Sequence, residues 1–140
     1  MIIRCILDTG EALPAMSRDS SVGIDASTQF PVTVGRTYVV FAVTIYLGVA
    51  WYYIFDDDGH DWPTWCPAPL FDVSDGSVPP SWRFGYFRFS REDQYPILSF
   101  PEWAEDHSFH ERLVEGDADA VKIFTARRRE IEGLMRGEGG

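Results

Sequence analysis

The chain has 140 residues, 45% apolar and 24% charged, with 22 acids against 12 bases and a net charge of −10. That length supports one domain with a real core, and the composition excludes a disordered chain. The charge excludes a simple basic nucleic-acid binder, so no direct nucleic-acid binding is expected.

The expected fold class is α+β: a small, mostly antiparallel β-barrel or twisted sheet with C-terminal helices, forming a single domain over 1–140. Periodicity divides it. Residues 1–100 read as β-rich, 101–136 as a helical tail packed on that part, and 137–140 as a frayed end. Residues 2–7 form a short apolar run closed by the turn signal Asp8-Thr9-Gly10. The first residues lack a basic stretch followed by a long apolar one, so no signal peptide is expected. Cys5 and Cys66 lack metal-ligand spacing and read as reduced thiols of a cytoplasmic protein. Residues 11–31 are polar and read as a long loop.

Residues 37–47 are the strongest strand signal. Val39, Phe41, Val43, Ile45 and Leu47 alternate with mixed residues, which predicts one strand with its odd face in the core. The run is too short to cross a bilayer, and no membrane partner is expected. Gly48-Val49 reads as a tight turn and 50–55 as the return strand. Pairing stops at Asp56-Asp57-Asp58-Gly59-His60-Asp61, where like charges and Asp-Gly favour a turn. In 62–69, Pro63, Pro67 and Pro69 restrict the chain to an extended or edge segment. A short strand over 70–73 closes at Ser74-Asp75-Gly76. Residues 82–89 alternate again, with Trp82, Phe84 and Tyr86 on one face, and 95–100 read as a last strand. Trp51 and Trp82 fall in strand patterns and read as core.

Helical signals begin at Pro101, with Glu102, Glu105 and Asp106 near the positive helix terminus. Phe109 and Leu113 are four apart, Gly116 is a natural stop, and Asp117 can cap the next helix. Val121, Phe124, Ile131 and Leu134 trace its apolar stripe.

No motif for nucleophilic catalysis or phosphate binding occurs, and no catalytic residue, cofactor or metal site is assigned. His107 and His110, three apart among acids, lack the zincin spacing. Whether they bind metal stays open. A calcium loop through Gly59 at its sixth position would put Ile54 where a carboxylate is needed. Acids concentrate in two segments: 56–75 holds six and no base, and 102–119 holds seven with only Arg112. Trp62 and Trp65 stand among the first set, and such aromatics anchor protein interfaces. The candidate partner-binding residues are therefore Asp56, Asp57, Asp58, Asp61, Trp62, Trp65, Asp72 and Asp75. The other readings are a solvated loop and tryptophans folded over the barrel end.

The order Val32-Thr33-Val34-Gly35-Arg36-Thr37-Tyr38-Val39-Val40, Tyr52-Tyr53-Ile54-Phe55-Asp56-Asp57 and Pro69-Leu70-Phe71-Asp72-Val73 resembles small bacterial and phage Src-homology-3-like barrel proteins over about 32–75. The whole chain is also similar to cytosolic immunity proteins of bacterial toxin systems in size, acidity and an aromatic-rich α+β core. That resemblance implies a basic protein partner, a cognate toxin acting on nucleic acid or nucleotides, which the acidic loop would block. The alternatives are a phage-type anionic inhibitor mimicking nucleic acid and a metal-dependent or hydrolytic enzyme using His107 and His110.

Overall fold

The computed structural model describes residues 1–136, so the expected fraying of 137–140 lies outside the described residues. Eight strands form two antiparallel sheets: β1 (Ile2–Cys5), β2 (Thr37–Val39), β3 (Ala42–Tyr46), β4 (Val49–Ile54), β5 (Thr64–Pro67), β6 (Phe71–Asp75), β7 (Arg83–Arg88) and β8 (Gln94–Ser99). Helices α1 (Pro101–Ala104), α2 (Phe109–Val114) and α3 (Ala118–Met135) follow. The small sheet has the order β2-β1-β6 and the large one β5-β4-β3-β8-β7. The fold is α+β, and the sheets do not close into a barrel. Residues 32–75, which carry the barrel resemblance, supply strands to both sheets.

The single strand expected over 37–47 is two. It breaks at Val40-Phe41, and the halves enter different sheets. Both residues at the break are buried, Val40 at 0% and Phe41 at 1% exposure. The switch therefore happens inside the core, where no polar residue marks it. The expected core face is also inverted. Tyr38, Ala42 and Thr44 are buried, while Ile45 is 55% exposed. Thr44 tolerates the interior because its Oγ1 donates to the Pro96 carbonyl at 2.6 Å. The hairpin turn is Leu47-Gly48, one residue earlier than expected. Both residues have positive φ, 51° and 79°, as the two-residue turn that matches strand twist requires.

Further along, β5 is an edge strand, as its prolines require. A 3-10 turn at Ala68–Leu70 precedes β6. Of Trp82, Phe84 and Tyr86, read as sharing one face, Trp82 is buried as expected, while Phe84 is 70% exposed and Tyr86 is 49% exposed. One row crosses the sheet through directly opposed residues Cys66, Tyr52, Val43, Leu98 and Phe84. Cys66 is buried, Tyr52, Val43 and Leu98 are half-buried, and Phe84 is in water. The polar loop 11–31 is organised as three 3-10 turns, with Leu13 and Phe30 in the core.

In the tail, Gly116 (φ 79°) ends α2 as expected, and the Asp117 carboxylate accepts the Ala120 amide at 3.0 Å to cap α3. Phe124 and Ile131 face the core, whereas Val121 is 42% exposed. The aromatic content has its explanation here. Phe124 packs on Phe41, Phe55 and Phe100, and Phe100 packs on Trp103 and Phe109. These rings join the tail to the large sheet in edge-on and tilted contacts.

Candidate functional site

Three cross-strand pairs of the large sheet build the floor of a cavity: Tyr53 opposite Trp65, Thr44 opposite Ile97, and Phe87 opposite Tyr95. Opposed residues share a face, so the pairing register alone gathers them. The wall comes from the tail: Trp103 on α1, Asp106 and His107 in the following turn, and His110 on α2. The cavity measures about 230 Å³. Its wall stands close because β7 carries Gly85. A Cβ there would lie 1.9 Å from the Ala104 carbonyl oxygen.

Ring stacking sets the shape. Tyr53 and Trp65 are nearly parallel (23°) with centroids 6.3 Å apart, and Trp103 and His110 stack at 20° and 5.5 Å. Tyr53 meets Trp103 edge-on at 4.8 Å. His110 Nε2 lies 2.7 Å from the Pro63 carbonyl oxygen. A carbonyl only accepts, so Nε2 carries the proton and Nδ1 is left as a neutral acceptor. Burial lowers the His110 pKa below its ordinary value, and the Pro63 bond only partly opposes this. Burial, with a smaller effect of Tyr95, pushes the Tyr53 phenol up to about 12, so it stays protonated. Its hydroxyl has no hydrogen-bond partner among the described residues.

Among the described residues, Asp106 supplies the only carboxylate of the lining. Its Oδ1 accepts from the Ser108 hydroxyl at 2.7 Å and the Ser108 amide at 2.9 Å, and Oδ2 from Arg112 at 2.6 Å. The Ser108 hydroxyl and Arg112 outweigh the cost of burial and hold its pKa down to about 2.

His107 and His110 do not share one helical face, because His107 lies in the turn before α2. They nevertheless line the same cavity. Among the described residues, no group of three or more His, Cys, Asp and Glu is placed to hold a metal ion.

The sequence-predicted residues divide into four pairs. Asp56 and Asp57 are engaged by the fold. Asp57 accepts from Thr33 Oγ1 at 2.6 Å, Arg36 at 2.6 Å and the Tyr38 hydroxyl at 2.9 Å. Asp56 accepts from the Asp58 amide and from Thr64 Oγ1, which closes the neck of the β4–β5 hairpin. Asp58 and Asp61 are exposed in that hairpin loop. Trp62 is half-buried and stacks on His60, while Trp65 is 40% exposed at the cavity. Asp72 and Asp75 belong to the other sheet, exposed on β6. Asp75 turns back to accept from Ser77, which lowers its pKa.

The second acidic segment is partly neutralised within the chain. Arg112 bridges Asp106 and Asp117, and Arg127 pairs with Glu102. Sequence reading missed the cavity because its residues come from five strands and the tail. The available signal was the repeated placing of aromatics on alternate strand positions. No family model, curated protein or solved structure matches the chain.

Proposed function

We propose that the chain is a non-catalytic acidic binding protein that captures a basic protein, in the manner of a bacterial immunity protein blocking a cognate toxin. The observation that carries this reading is Trp65. A large ring 40% exposed on an edge strand, lining an aromatic cavity and following the exposed acids Asp58 and Asp61, has the composition of an interface anchor. Internal ion pairs remove one charge of each sign, so the net −10 persists however many form. Such a field speeds the approach of a cationic macromolecule and discourages acidic ones. Asp56 and Asp57 then serve as scaffolding for the loop, and Asp58 and Asp61 meet the partner.

The test is recovery of the partner on the tagged protein from its source cells, followed by kinetics with that purified partner. The expected partner is basic, and its association slows about tenfold or more between ~0.02 and ~0.2 M salt. Asp58→Asn with Asp61→Asn slows association, Trp65→Ala speeds dissociation, and co-expression relieves the partner's toxicity. Recovery of no basic protein, or binding indifferent to salt and to all three changes, would overturn the reading.

A further inference from the structure

We infer that the cavity between the large sheet and α1–α2 is the receptor for one arginine side chain of the partner. The inference rests on the reading of the protein as a binder of a basic protein, and it names the contact that such a partner must supply.

Size comes first. A volume of about 230 Å³ falls below the about 300–1,000 Å³ of sites that enclose a whole small molecule. It suits a single side chain. The rim agrees, since Ile45 and Trp65 line the cavity and are 55% and 40% exposed. They can cover the backbone from which that side chain projects.

The lining does not repel a cation. Among the described residues it contains Asp106, whose charge Arg112 already balances, and no Lys or Arg. His110 is neutral, so it does not repel a positive group. Tyr53, Trp65, Phe87, Tyr95 and Trp103 also line it, and ring faces attract a desolvated cation.

Shape and acceptors select arginine over lysine. Its guanidinium is planar, stacks on rings and carries five N–H donors. The stacked pairs Tyr53–Trp65 and Trp103–His110 give the cavity flat rings on its floor and on its wall. The Tyr53 hydroxyl has no partner in the described chain and stays protonated, so its oxygen is free to accept. An ammonium is compact and strongly hydrated, and it gains less from flat rings.

The experiment is a ¹H–¹⁵N titration that follows the indole resonances of Trp65 and Trp103. The probes are N-acetyl-arginine amide, N-acetyl-lysine amide and 3-methylindole, each without any protein partner. The arginine probe is expected to shift both indole signals saturably and to bind more tightly than the other two. Trp65→Ala should weaken it about fivefold, the loss of one cation–π contact. Tyr53→Phe removes only the unpartnered hydroxyl, should leave the fold intact, and should also weaken the arginine probe. Preference for lysine or methylindole, or an arginine affinity unchanged in both variants, overturns the inference. The titration uses no partner, so the pocket can fail here while the capture of a basic protein stands. Capture can equally fail while the pocket binds the probe.

Discussion

Asp57 shows how a surface carboxylate can be spent on the fold. Three donors from residues 33–38 converge on it, and its own amide donates to Pro31 at 2.8 Å. Tyr38 is only 4% exposed, so its hydroxyl depends on that carboxylate. Asp57→Ala leaves a nearly buried donor without an acceptor. The expected loss is about 2 kcal/mol, the usual cost of a stranded buried polar group, read from the urea midpoint. Asp58→Asn, whose side chain is exposed and bonded to nothing among the described residues, should move the midpoint by less than ~0.5 kcal/mol. The acidic run was plain in the sequence, but which of its members face inward was not. That division follows from Thr33, Arg36 and Tyr38, 24, 21 and 19 positions upstream of Asp57. Spacing within the run says nothing about them.

Among the elements, α1 is the one whose placement decides the cavity. It is a single turn of four residues, too short to be stable alone, and packing must hold it. Its packing depends on the missing side chain at Gly85, where the Ala104 carbonyl fills the space a Cβ would need. Gly85→Ala forces α1 outward or bends β7. It should cost about 2 kcal/mol as an overpacked contact. It should also shift the Trp103 indole resonance while leaving that of Trp82 nearly unchanged. The end of α2 and the beginning of α3 were legible because Gly116 and Asp117 act within a few residues of themselves. So was the edge position of β5, since proline excludes a central place. The division of 37–47 was not legible. An unbroken apolar run carries no mark of a change of sheet when both flanks are buried, and its alternation says nothing about which face a second layer will cover.

The whole molecule should respond to pH through groups that burial or pairing has displaced. His110 has a folded pKa below 6.5, so the unfolded chain takes up its proton first as pH falls. Its contribution is complete above about 6.5 and declines as pH drops through that value toward the folded one. Asp106 acts lower, keeping its contribution above 3.8 and losing it as pH approaches 2. Its side chain is 36% exposed, so solvent screening makes that part small. The urea midpoint should therefore fall between pH 7.5 and 5.5, and His110→Asn should flatten this portion of the profile. A midpoint constant over that interval would contradict a neutral, half-buried imidazole. Overall class was readable from periodicity and acidity from composition, but the meeting of Tyr53, Trp65, Tyr95 and His110 depends on strand order. Strand order is a property of the assembled sheet and of no local segment.

The row from Cys66 to Phe84 bears on how the molecule tolerates its own copies. At one end it is sealed beneath a second layer, and at the other a phenylalanine ring stands in water on a strand with a single neighbour. Bare borders of that kind invite extended chains to stack into fibres. Here Arg83 and Arg88 occupy the two ends of the border strand. Two copies meeting there would press guanidinium against guanidinium, so the basic residues of an otherwise acidic protein act as fences against self-assembly.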